Sequence, residues 1–132
     1  MNVLISIKPK YIEKIKEGIK TFELRKKIFK NYDKVNTIYI YSTSPIKKIV
    51  GKFSIEKIIE DHPDRLWNNY KDHFGIEKKD YFNYFKGKEK GFAIKIENLY
   101  FFRNPIEPKK VIPNFIPPQS YCFLQDEIYE II

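Results

Sequence analysis

The sequence predicts an α+β fold, a single mixed β-barrel with one helix after the first strand and a helical insertion before the late strands. Strand-like segments come first, a helical stretch interrupts them, and strands return, without the regular strand–helix alternation of a parallel α/β sheet. The chain of 132 residues is about one domain, and 42% of it is hydrophobic, which is enough for a core. A closed or nearly closed barrel would hide the strand edges.

The first half of the chain predicts three strands and one helix. Apolar residues at every second position predict a strand over residues 2–8. An amphipathic pattern predicts a helix over residues 10–17, and Gly18 follows it as a natural C-terminal stop. Alternation returns over residues 21–25, and a run of β-branched and aromatic residues predicts a further strand over 35–42.

The second half places the helical insertion between two long strands. A strand is predicted over residues 49–59, followed by aromatic residues at helical spacing over 64–85, with Gly75 dividing two helices. Helical spacing is more typical of core aromatics than of surfaces that stack on bases. A strand is predicted over residues 91–102, then an extended proline-rich tail, then a short element over 127–132.

The charge balance is basic, which points to a polyanionic partner but does not prove one. Lys and Arg number 25 against 17 Asp and Glu, a formal net charge of +8. Clustered cations gain free energy when they release the counterions of phosphates. Only three of the 25 basic residues are arginines, however, and a lysine-rich composition is also typical of A·T-rich coding sequence. A merely solvated basic surface therefore remains an alternative.

The remaining composition predicts a cytoplasmic protein without a cofactor. The single cysteine, Cys122, cannot form an internal disulfide and fits a reducing compartment. The N-terminal apolar stretch is too short for a signal peptide, and no apolar run approaches about 18 residues, so no membrane partner is expected. His62 and His73 stand apart from other metal-type ligands, so no metal site is expected.

The pattern Gly18-x-Lys20-x-x-Glu23-x-Arg25 carries the chemistry that the sequence suggests. After the turn at Gly18, the strand projects Glu23 and Arg25 on one face, with Lys20 close to them. Glu23 could accept a proton or a hydrogen bond, while Lys20 and Arg25 could hold phosphate. The alternative is a ladder of ion pairs on a half-exposed strand, which would contribute little.

This pattern, directly after a strand and a helix, resembles the signature of the ASCH family, a branch of the PUA-like barrel superfamily. Other segments agree with the family in chain order. They are Leu4-Ile5-Ser6-Ile7-Lys8-Pro9, Tyr41-Ser42-Thr43-Ser44-Pro45, Lys47-Lys48-Ile49-Val50-Gly51, Tyr84-Phe85-Lys86-Gly87, the strand around Ala93, and Pro117-Pro118-Gln119-Ser120. The resemblance therefore spans nearly the whole of residues 1–132, as one ASCH domain.

The resemblance implies a PUA-like mixed β-barrel whose cleft handles RNA or a nucleotide. The residues that would line the cleft are Lys8, Lys20, Glu23, Arg25, Ser42 and Ser44. In this interpretation Lys20 and Arg25 hold phosphate or ribose, and Glu23 accepts from the donor edge of a base. An unpaired base of single-stranded RNA is favoured, because a single cleft with few arginines cannot cover a long duplex.

The first alternative is a small hydrolase that uses the same cleft, with Glu23 as general base and Lys20 as electrostatic catalyst. Some relatives in the family are described as nucleases on single-stranded RNA. The branch of amidohydrolases that act on modified cytidine uses a threonine nucleophile three residues after its lysine, and Glu23 occupies that position here. Thr21 is too early, so that activity does not transfer. A sensor of a small anionic metabolite is the third interpretation.

Overall fold

Six strands and four short α-helices form the part of the chain that the computed structural model describes, residues 1–130. Two short 3₁₀ turns, Tyr32–Lys34 and Lys71–His73, lie between them. The elements are β1 (Asn2–Ile7), α1 (Pro9–Lys16), β2 (Phe22–Arg25), β3 (Thr37–Ser42), β4 (Lys48–Asp61), α2 (Pro63–Tyr70), α3 (Lys78–Tyr84), β5 (Gly91–Ile106), α4 (Pro108–Val111) and β6 (Tyr121–Leu124).

The strands form one curled sheet in the order β2-β5-β4-β3-β1-β6. β1 and β3 run parallel, joined by a crossover that contains α1 and β2, and every other neighbouring pair is antiparallel. β2 and β6 are the two edges, and no ladder joins them within residues 1–130. The sheet is therefore a half-barrel with a seam, and the predicted α+β, PUA-like class is confirmed.

β1 is buried on both faces, which explains why four of its six residues, Val3, Leu4, Ile5 and Ile7, are apolar. Val3 and Ile5 point into the main core, where they meet Ile12 of α1. Leu4 points the other way and packs against Tyr39 in a second core under the C-terminal tail. The predicted alternation is thus present, but both of its faces are covered by other parts of the chain.

The helical insertion covers the outer face of β2 and β5. Phe22 and Leu24 of β2 pack there against Phe74, Tyr81 and Phe85. Aromatic rings at this interface meet edge to face, tilted or stacked. The edge-to-face pair of Phe22 and Phe74 has its ring centres 5.8 Å apart. The interpretation of these aromatics as core is confirmed, and the insertion is fixed to the strand that carries the signature.

The C-terminal tail is more regular than the sequence predicted. Its prolines do not keep it fully extended, because Pro108 starts α4 and the Glu107 side chain accepts a hydrogen bond from the Lys109 N–H. β6 then pairs with β1, whose outer edge would otherwise leave its backbone groups unpaired. The element predicted over 127–132 is wrong for residues 127–130, which form neither helix nor strand, and residues 131–132 lie outside the described part.

Replacing Gly51 by alanine should weaken the pairing of β4 with β5. A β-carbon at this position would lie 2.6 Å from the backbone oxygen of Tyr100, at a register shift between the two strands. We expect Gly51→Ala to lower the free energy of unfolding by about 1–3 kcal/mol, measured by urea denaturation. Exposed Lys57 on the same strand supplies the control, since Lys57→Ala should stay within about 0.5 kcal/mol of wild type. Equal stability of both variants would contradict the close approach.

Candidate functional site

A cleft of about 570 Å³ opens at the seam between the two sheet edges. Its walls come from the end of β1, the start of α1, β2, the turn after β3, α3 and the segment before β6. We call it the seam cleft, and its lining includes Lys8, Tyr11, Lys20, Glu23, Arg25, Lys26, Tyr84 and Ser120. It lies where a closed barrel would have a continuous ladder.

The turn between α1 and β2 fixes the backbone at Lys20. Gly18 adopts φ 77°, a conformation that glycine tolerates best, and so reverses the chain after the helix. The N–H of Lys20 then donates to the carbonyl of Lys14 at 3.0 Å. One residue later, the N–H of Thr21 donates to the carbonyl of His73 at 2.9 Å, which ties the turn to the helical insertion.

The side chain of Lys20 is held by the loop that follows α2. Its Nζ donates to the carbonyl of Phe74 at 3.0 Å and lies 5.5 Å from the centre of the Tyr11 ring. Gly75 adopts φ +57°, and a β-carbon there would lie only 2.7 Å from the β-carbon of Lys20. The glycine predicted to divide two helices therefore also makes room for the lysine stem.

Lys20 is a buried lysine whose surroundings make the charged form less favourable than it is in water. Only 4% of the residue is exposed. Burial lowers the pKa of Lys20, and the negative charge of Glu23 opposes that shift. No salt bridge joins Lys20 to a carboxylate among the described residues. A buried charge without a close counter-charge lowers stability, so its presence favours a functional role.

Glu23 and Arg25 project from β2 on the face opposite Phe22 and Leu24, as the alternation predicts. Each is only 7% exposed, so the alternative of an exposed ion-pair ladder is wrong. The Glu23 Oε2 atom is buried and has no hydrogen-bond partner within residues 1–130. Arg25 donates instead to the hydroxyl of Ser120, a side-chain bond that spans the seam from β2 to the segment before β6.

The structure brings together four of the six residues that the resemblance placed in the cleft. Lys8, at the end of β1, joins the three signature residues in the lining. Ser42 is 2% exposed at the end of β3 and lines neither the seam cleft nor the cavity beside it. Ser44 lies one turn further along the chain and lines that neighbouring cavity. The two serines therefore do not share the site of Lys20.

Tyr84 and Ser120 are lining residues that sequence reasoning did not assign to the site. The Tyr84 hydroxyl donates to the carbonyl of Leu24 at 3.3 Å, and the Nζ of Lys26 lies 4.7 Å from the centre of its ring. Burial raises the pKa of the Tyr84 hydroxyl. Helical spacing could identify Tyr84 only as one more core aromatic. Ser120 contacts Arg25 from 95 positions away in sequence, which no local pattern reveals.

The histidines have structural surroundings. The Nδ1 of His62 accepts a hydrogen bond from the N–H of Asp64 and caps α2. The His73 ring lies 6.4 Å from that of Phe22. Within residues 1–130, no group of three or more His, Cys, Asp or Glu side chains could hold a metal ion. In the same part of the chain, none of the helices has the length and apolar character needed to cross a membrane.

Comparisons with known proteins give one family model and several curated relatives. A family model described as a domain of unknown function (DUF365) matches residues 1–115. A Zymomonas mobilis protein named ASCH domain-containing ribonuclease is 32% identical over 130 residues, covering 94% of this chain and 84% of that protein. Large ribosomal subunit protein uL22 of Ureaplasma parvum is 37% identical over 73 residues, which are 55% of this chain and 24% of that protein.

Solved structures extend the likeness to the fold. The crystal structure of ASCH from Zymomonas mobilis has a TM-score of 0.84 and 31% identity, covering 94% of this chain and 87% of that one. The structure of a serine-to-alanine variant of the same protein has a TM-score of 0.85 and 31% identity, covering 94% of this chain and 88% of that one. The half-barrel and its helical insertion are therefore shared over nearly the whole chain.

Replacing Lys20 by methionine should stabilise the protein, because it removes a buried charge while keeping the length of the side chain. We expect Lys20→Met to raise the free energy of unfolding at pH 7 by about 1 kcal/mol or more, measured by urea denaturation. The exposed Lys34, which precedes β3, provides the matched control; Lys34→Met should change little. Destabilisation by Lys20→Met would show that its bond to the Phe74 carbonyl outweighs the burial of the charge.

The pH dependence of stability gives a second test of the same lysine. The pKa of Lys20 is lower in the folded protein than in the unfolded chain, so between these two values the unfolded state binds more protons. Wild-type stability should therefore gain a contribution as pH rises through the folded pKa toward about 10.4. Subtracting the Lys20→Met profile, measured by the same denaturation series, should isolate that rise. Parallel profiles would mean that Lys20 titrates normally.

Proposed function

The chain belongs to the ASCH domain family, and from this premise we propose that the seam cleft binds an unpaired nucleotide of single-stranded RNA. The observation that carries the proposal is the buried trio of Lys20, Glu23 and Arg25, which presents two cations and one unpartnered carboxylate oxygen in one cleft. The relative from Zymomonas mobilis is named a ribonuclease, which supports RNA as the ligand class.

Phosphate is the group that Lys20 and Arg25 would bind. Lys20 makes its one described hydrogen bond to a neutral carbonyl. An anion that enters the cleft would therefore provide a counter-charge and stabilise the buried ammonium. Arg25 uses part of its guanidinium on Ser120, and its remaining N–H groups are available for a phosphate or a ribose. Lys8 and Lys26 add positive charge to the same lining.

The base would be recognised by Glu23 and by an aromatic wall. The free Oε2 of Glu23 can accept a hydrogen bond from an amino or imino N–H on the edge of a base. Tyr11 and Tyr84 also line the cleft, and their rings offer faces on which a base can stack. A cavity of about 570 Å³ is in the size range of small-ligand sites.

A reducing cytoplasmic location, which fits the free thiol of Cys122, is part of the proposal.

A second candidate function is ribonuclease activity in the same cleft, favoured by the name of the Zymomonas relative. Glu23 would take the proton of a ribose 2′-hydroxyl as that oxygen attacks the adjacent phosphorus. The Lys20 ammonium would stabilise the charge that develops on the phosphoryl oxygens. The 5′-oxygen would leave with a proton from solvent or Lys20, giving a 2′,3′-cyclic phosphate and a 5′-hydroxyl.

Binding is tested with end-labelled single-stranded RNA on native gels. Wild-type protein should shift the RNA, and the shift should weaken steeply as salt rises because phosphate contacts release counterions. Lys20→Ala should reduce affinity by about tenfold or more and make the salt dependence shallower. Lys34→Ala, which removes an exposed charge outside the lining of the cleft, should leave both nearly unchanged. A wild-type protein that binds a free nucleotide or metabolite but no RNA would contradict the proposal.

Cleavage is tested by running the same samples on denaturing gels. If the cleft is catalytic, wild-type protein should shorten the RNA, and Glu23→Gln should abolish turnover with little loss of affinity, because it keeps the shape but removes the base. A single 2′-deoxy substitution should block cleavage at its 3′-phosphate only. Intact RNA with a native shift would leave a binding domain, and cleavage by Glu23→Gln at the wild-type rate would exclude Glu23 as the base.

A further inference from the structure

We propose that a second cavity beside the seam cleft binds the flanking nucleotides of the same RNA strand, so that the domain reads a short run rather than one nucleotide. This inference rests on the function proposed above. The cavity measures about 590 Å³ and lies between the turn after β3 and the tail around α4. We call it the tail cavity, and its lining includes Tyr41, Thr43, Ser44, Lys47, Lys109 and Ile116.

The two cavities are neighbouring parts of one groove. Ser6 and Thr43 line both of them, so the two cavities adjoin at these residues. Ser6 also fixes the tail at this point: its hydroxyl donates to the carbonyl of Pro118 at 2.6 Å, and its N–H donates to the carbonyl of Ser120 at 3.1 Å. The same tail segment supplies Pro118 to one cavity and Ser120 to the other. An RNA strand bound in the seam cleft would therefore reach the tail cavity past Ser6 and Thr43.

The tail cavity presents two cations that form no salt bridge in the described part of the chain. Lys47 and Lys109 line it, and neither makes a salt bridge within residues 1–130. Glu107 also lines it but is already engaged, since the Nζ of Lys48 lies 3.3 Å from its Oε2. The N–H of Lys109 and the charge of Lys48 lower the pKa of Glu107, which keeps the pair ionised and mutually compensated. Once this pair is set aside, the net charge of the lining is positive, which favours the binding of phosphates.

The lining of the tail cavity also has an apolar, partly exposed part. The rings of Tyr41 and Phe115 meet with their centres 5.3 Å apart, and Pro117 lies next to them in the lining. Ile116, also in the lining, is 81% exposed. An apolar surface and cations in one cavity match the two parts of a nucleotide, a base that packs on apolar faces and a phosphate that needs positive charge. A simple anion would use only the cations.

The experiment compares single-stranded oligonucleotides of increasing length, from one nucleotide to about ten. They carry 2′-O-methyl groups so that they cannot be cleaved, and binding is followed by fluorescence anisotropy. The test variant is Lys47→Ala with Lys109→Ala, and Lys34→Ala is the control. We expect the test variant to bind mononucleotides like wild type and the longest oligonucleotides about tenfold or more weakly. Its salt slope for long oligonucleotides should be smaller by about 0.7 for each phosphate that the protein no longer neutralises.

A second variant tests the apolar side without disturbing the core. Because Ile116 is exposed, Ile116→Glu should leave the thermal midpoint of unfolding close to that of wild type. The introduced carboxylate should repel a strand in the tail cavity, so we expect the same selective loss for long oligonucleotides. The Lys20→Ala variant should differ from both, because it should lose affinity at every length.

Several outcomes would overturn the inference. Equal losses of affinity at all lengths would show that the two lysines act only through long-range electrostatic attraction. No loss of affinity at any length would show that RNA does not reach the tail cavity. Loss of inorganic phosphate binding in the lysine variant, with long-oligonucleotide binding intact, would make the cavity a small-anion site. Wild-type protein that binds no oligonucleotide would defeat the proposed function itself, whereas binding without a length-specific loss defeats only the second site.

Discussion

The docking of the helical insertion onto the turn before β2 is the contact on which the site depends. The Thr21 N–H and the Lys20 Nζ donate to consecutive carbonyls, those of His73 and Phe74, and Gly75 allows the two backbones to approach. These polar contacts are continuous with the apolar packing of the insertion on the outer face of β2. One interface therefore fixes both the strand that carries the signature and the direction of its lysine.

The charges on β2 lie beside the seam of the sheet. A fully closed barrel would pair the backbones of β2 and β6, whereas within residues 1–130 a side-chain bond from Arg25 to Ser120 joins β2 to the segment before β6. Buried charges at this position lower stability relative to apolar residues of similar size. Folded proteins accept such conflicts mainly where they serve a site.

The sequence predicted the parts of the fold and of the site that depend on local patterns. Alternation and runs of β-branched and aromatic residues located β1 to β5. The turn at Gly18 and the signature after it placed Lys20, Glu23 and Arg25 together at one corner of the fold. Contacts between distant segments could not be read in this way. β6 and Ser120 meet their partners more than 90 residues away, and the four residues of β6 are too few to give a strong strand signal. Ser42 illustrates the same limit, since its burial depends on what covers the end of β3.

The positions of the lysines in the structure say more about anion binding than the net charge of the chain does. Several are already occupied, since Lys48, Lys90 and Lys95 pair with carboxylates, and Lys16 and Lys52 lie over aromatic rings. A net charge of +8 therefore says little about where an anion would bind. Burial ranks the candidates better than number does. An exposed lysine such as Lys47 or Lys109 is solvated and adds a weaker, salt-sensitive attraction, whereas a buried cation without a salt bridge interacts strongly with an anion that enters its cleft. By that criterion the signature, and not the overall basic composition, is the evidence for a polyanionic ligand.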